Sequence, residues 1–139
     1  MTAPLDNLVS SGLLKRENPD NAEYEGLIRS GTVRLLDAEK AGLSLEGRFD
    51  LAYNAAHALS LAALRRRGYR PSNRYIVFQA LEHTLGIDPA VWRVLAKCHQ
   101  IRNQGEYEGD LDVDDQLVKE LVVSCKTVIQ ALSKLPPLK

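Results

Sequence analysis

The sequence predicts an all-α protein, and three observations carry that expectation. Apolar residues recur at three- and four-residue spacing in every long segment, no segment alternates convincingly with period two, and Gly, Pro and Asn clusters separate stretches of helical length. With 139 residues and 45% hydrophobic content, one domain with one core is enough. The expected architecture is a compact antiparallel bundle of five long helices plus a short N-terminal helix, with residues 1–19 forming a flap and 20–135 the bundle.

The first helix is expected over Pro4 to Lys15, with Leu5, Leu8, Val9 and Leu13 on one side, before Glu17-Asn18-Pro19-Asp20 breaks it. The second runs from about Asp20 to Ala41, carries Tyr24, Leu27, Ile28, Leu35 and Leu36 near one stripe, and stops at Gly42. The third starts at Ser44, whose hydroxyl can cap the first turn, and runs to Arg67 before Gly68. Its alanines at 52, 55, 56, 58, 62 and 63 remove bulk and let another axis approach closely, which marks it as the central helix. The fourth spans Ser72 to Leu85. The fifth opens with Asp88 as cap and Pro89 at the first helical position, where the missing N–H costs nothing. The last covers Val113 to Leu135 and ends at Pro136-Pro137.

Composition narrows the function classes. Lysine plus arginine (18) equals aspartate plus glutamate (18), so no global field attracts nucleic acid or anionic lipid, and any such binding needs a local patch. No window of about 18 apolar residues exists, and the N-terminal residues lack the pattern of a secretory signal, so a cytoplasmic protein without membrane contact is expected. Cys98 and Cys125 are too few for a disulfide framework or a zinc site and fall at apolar helical positions, so neither metal nor cofactor is implied. Trp92 is expected in the core or on a dimer surface, and His57 and His83 are expected to be packing residues.

The segment with chemistry is Cys98-His99-Gln100-Ile101-Arg102-Asn103-Gln104-Gly105-Glu106-Tyr107. The fifth helix has an inward stripe of Val91, Leu95 and Cys98 that ends on Arg102, so a guanidinium closes an otherwise apolar row and requires a partner or a wet cleft. One reading is a cleft in which Arg102 holds a phosphate while Asn103 and Tyr107 line it; the other is that Arg102 pairs with Glu106 or Glu108 and closes the bundle. The one basic cluster is Arg65, Arg66, Arg67, Arg70 and Arg74. It reads either as a solvated helix terminus that complements the dipole or as an RNA or partner contact, with Tyr69 and Tyr75 available to stack.

The stretch FDLAYNAAHALSLAALRRRG (49–68), followed by YRPSNRYIVFQALEHTLG and then by Arg102-Asn103 at a helix end, resembles the HEPN domain over roughly Asp20 to Leu132. The resemblance implies a helical bundle that commonly forms a homodimer, in toxin–antitoxin or defence modules of bacteria, often beside a minimal nucleotidyltransferase. Many members are metal-independent ribonucleases whose motif is an Arg, often followed by a polar residue, and then a His. Arg102 and Asn103 match the first two positions, and the histidine's place is held by Tyr107. His99, one turn before Arg102 on about the same face, is the remaining candidate base, since Tyr107 with a phenolic pKa near 10 is a poor one. Three functions stay open: an RNA- or nucleotidyltransferase-binding subunit with a degenerate motif, an active ribonuclease, and a structural interaction bundle.

Overall fold

The computed structural model describes residues 3–109 and 112–138, the side chains of 106–108 excepted. The chain runs α1 (Ala3–Ser10), β1 (Leu14–Arg16), α2 (Asn21–Ala38), α3 (Leu45–Arg66), β2 (Tyr69–Pro71), α4 (Arg74–Gln79), α5 (Leu81–Thr84), α6 (Pro89–Glu108) and α7 (Asp115–Ser133). A helical bundle is what the periodicity predicts. Several element boundaries differ from expectation.

The first helix stops at Ser10 rather than Lys15. The Ser10 and Ser11 hydroxyls donate back to the carbonyls of Asp6 and Leu8, and Gly12 takes a positive φ that turns the chain. Leu14–Arg16 then pairs antiparallel with Tyr69–Pro71, a two-stranded ribbon that the sequence pattern does not announce. The expected fourth helix divides at Ala80 into α4 and α5. Helix α6 passes through Gly105 and ends at Gly109, whose left-handed backbone sends its N–H to the Gly105 carbonyl at 2.8 Å.

Ser44 and Asp88 cap as expected, accepting from the N–H groups of Gly47 and Ala90, and Asp20 caps α2 by accepting from Glu23. The main core gathers around α3. Its alanines face inward with Phe49, Tyr53 and Leu59, against Tyr24 and Leu35 of α2, Trp92 and Leu95 of α6, and Leu121, Cys125 and Val128 of α7. Trp92 is therefore a core residue, and its Nε1–H donates to Glu82. Leu36 is exposed, because it lies about 100° around α2 from Leu35 and off the buried stripe. Both thiols are buried and unpaired, and burial pushes each up to about 12, so they are inert at neutral pH.

At Gly31, which has no side chain of its own, helix α2 lies directly against Leu59 and the backbone of α3. A Cβ there would stand 2.6 Å from Leu59 Cγ and 3.2 Å from the Ala55 carbonyl oxygen. Gly31→Ala is therefore expected to destabilise by about 1–3 kcal/mol despite alanine's better helix propensity, because overpacking outweighs the propensity gain of under 1 kcal/mol. A chemical melt in which Gly31→Ala is as stable as the parent would show that the two helices can separate freely.

A second small core joins Leu5, Leu14, Leu64, Tyr69, Ile76, Val77 and Ala80. It seats α1 and β1 on the C-terminal end of α3 and on α4, so the expected flap has an apolar anchor of its own.

Candidate anion site on the Tyr53 wall

Phe49, Tyr53 and His57 fall at four-residue spacing on α3, so their side chains share one stripe. Phe78 of α4 packs edge-on against Tyr53 at 5.9 Å and against His57 at 6.2 Å between ring centroids. This aromatic wall is met by the expected motif on α6. His99, Arg102 and Asn103 lie at i, i+3 and i+4, on one helix face. His99 stacks on Tyr53 at 6.2 Å, and its Nδ1 lies 2.8 Å from the Tyr53 hydroxyl oxygen. Asn103 Nδ2 lies 3.2 Å from His99 Nε2, so the imidazole is held between Asn103 and the Tyr53 hydroxyl.

Two guanidinium groups converge on the same ring. The Arg102 Cζ lies 5.1 Å from the Tyr53 centroid and the Arg74 Cζ 5.9 Å from it. Such contacts are worth roughly 0.5–2 kcal/mol each, depending on desolvation, and here they fix two cations at one place. The stripe that ends on Arg102 therefore has an aromatic partner that the sequence reading did not name. Tyr107 was expected to line this cleft, and Glu106 or Glu108 to pair with Arg102; all three side chains lie outside the described residues.

His57 belongs to this cluster and is more than a packing residue. Burial, followed by the positive charges of Arg74, His99 and Arg102, lowers its pKa from 6.5 to about 4. The ring is thus neutral at pH 7. Because the unfolded chain takes up this proton below pH 6.5 and the folded chain only near 4, the stabilisation is complete above 6.5 and is lost as pH falls to 4. The loss amounts to about 3 kcal/mol. His57→Gln should remove this part of the acid limb. A variant whose stability falls with the parent's slope between those pH values would show that another group is responsible. His83, by contrast, is exposed and contributes its backbone carbonyl to Arg67.

The five basic residues expected as one patch are divided by the fold. Arg65 is 1% exposed, which corrects its reading as a solvated terminus or a ligand contact. Its guanidinium pairs with Glu23 at 2.8 Å and donates to the carbonyls of Glu17, Asn18 and Tyr69. Arg66 covers the Tyr24 ring and donates to the Tyr24 hydroxyl and the Pro136 carbonyl. Arg67 donates to the carbonyls of His83 and Thr84. Arg70 is held by Glu17 and Glu23, and both carboxyls sit below their ordinary values. For Glu17 the Arg70 hydrogen bond is the main cause; for Glu23 burial opposes the shift, and Arg70 and Arg65 outweigh it. Tyr69 is buried with its hydroxyl donated to Asp6, which corrects its reading as a stacking platform, while Tyr75 is exposed. Arg74 alone of the five joins the Tyr53 wall.

Among the described residues no group of His, Cys, Asp and Glu is arranged to hold a metal ion, and no helix is long and apolar enough to cross a membrane. No family model, curated protein or solved structure matches this chain.

Proposed function

We propose that this chain is a HEPN-like subunit of a bacterial toxin–antitoxin or defence-type module, acting in the cytoplasm as a homodimer and holding single-stranded RNA at the Tyr53 wall. One observation carries the reading: Arg102 and Arg74 converge on a single buried ring beside the Asn103–His99 pair. Two positioned cations with an amide donor suit a phosphodiester, whose charge is spread over oxygens that accept several hydrogen bonds at once. In this reading Arg102 takes the phosphate and Asn103 donates beside it, while Tyr53 holds both cations in place. A minimal nucleotidyltransferase is the protein partner that the family resemblance suggests.

An active ribonuclease is the second reading, favoured by His99 standing one turn from Arg102 on the same helix face. Cleavage that generates a cyclic phosphate needs a base for the 2′-hydroxyl proton and a cation for the phosphorane, and His99 and Arg102 would fill those roles. If the site only binds, Arg102→Ala weakens affinity for an oligouridylate by about 1–3 kcal/mol and neither protein turns RNA over. Metal-independent cleavage by the parent that disappears in Arg102→Ala would replace the binding reading with the enzymatic one.

A further inference from the structure

Beside the Tyr53 wall a concave cleft of about 240 Å³ is lined by His57, Arg70, Pro71, Ser72, Asn73 and Arg74, and no carboxylate lines it among the described residues. Arg70 brings no free charge to it, because its guanidinium is spent on Glu17 and Glu23. Ser72 donates its hydroxyl to the Gly12 carbonyl. Two other groups have donor capacity left. Arg74 Nη1 is buried without a hydrogen-bond partner among the described residues, so a guanidinium donor at this cleft lacks an acceptor. Asn73 is exposed and caps Ile76 through Oδ1, which leaves the two N–H groups of its amide nitrogen as donors.

From this geometry we infer that His57, Asn73 and Arg74 form a second phosphate subsite, separate from Arg102–Asn103 and on the Arg74 side of Tyr53. The ligand is then one that presents at least two phosphate groups in series, as an RNA backbone does, rather than a lone phosphate. The inference rests on the RNA reading above and adds its length dependence. It also gives His57 a task. The groups facing His57 are Arg74 from α4 and His99 and Arg102 from α6, all cationic or able to become so, and their field together with burial keeps the ring neutral. An anion seated on Arg74 reverses that field, so a proton on His57 and a phosphate in the cleft favour each other.

The test uses the full chain, with inorganic phosphate and an oligouridylate as probes. Affinity is read by fluorescence anisotropy for the parent, His57→Gln, Arg74→Gln and Arg102→Ala, and the imidazole resonances of the parent are followed by NMR. The subsite requires each of the three variants to bind the oligouridylate roughly tenfold more weakly, one charge-assisted contact being worth about that factor. It also requires the His57 midpoint to rise when the oligouridylate is bound, and inorganic phosphate to bind far more weakly than the oligomer. If His57→Gln fails to fold, Arg74→Gln and the parent's His57 resonances decide. Weakened binding in Arg102→Ala, with Arg74→Gln unchanged and His57 unmoved, overturns the second subsite and leaves the RNA reading standing. A parent that binds no oligouridylate overturns both.

Discussion

Arg65→Ala is expected to lower the unfolding free energy by about 3–5 kcal/mol, the effect of removing one partner from a buried charge network. The guanidinium is almost fully enclosed, and its loss would leave the carbonyls of Glu17, Asn18 and Tyr69 short of donors and Glu23 short of one of its two arginines. These groups come from the α1–α2 connection, α2 and β2, so the one side chain ties the ribbon and its small core to the central helix. Arg65→Lys should recover little, because one ammonium cannot reproduce the spread of the fork. Urea unfolding of the three proteins checks this. A loss below about 1 kcal/mol for Arg65→Ala would mean that water replaces the guanidinium without penalty.

Leu121→Ala is expected to cost about 2–5 kcal/mol, the range for truncating a buried leucine whose surroundings collapse only in part. Leu121 is completely buried on the inner stripe of α7, in the core formed with α3. The same chemical melt gives the number, and a loss below about 0.5 kcal/mol would place the residue on another face.

The features legible in the sequence are those written locally. Ser44 and Asp88-Pro89 announce helix starts because a cap is a contact within one turn, and Leu95 and Leu121 announce burial because their stripes repeat along one helix. The ribbon is not local. Leu14–Arg16 and Tyr69–Pro71 are three residues each, too short for a period to register, and they become strands only because the fold sets them side by side. Arg65 misleads for the same reason: within RRRG it looks like a solvated terminus, and the carboxylate that buries it sits 42 positions away at Glu23. The Arg102 end of the site could be read from an apolar stripe that finishes on a charge. Its aromatic wall could have been found from Phe49, Tyr53 and His57 at four-residue spacing among alanines, a stripe of rings, two of them polar-tipped, in a helix otherwise cleared for packing.

In the proposed function Arg102, fixed on the Tyr53 wall, meets a phosphate of RNA. The most direct measurement is the affinity of the parent and of Arg102→Ala for an oligouridylate over a series of salt concentrations. Each phosphate neutralised on a single strand contributes about 0.7 to the slope of log affinity against log salt. A phosphate contact at Arg102 requires binding that weakens with salt and a slope smaller by about that amount in Arg102→Ala. Equal slopes and equal affinities for the two proteins would contradict it.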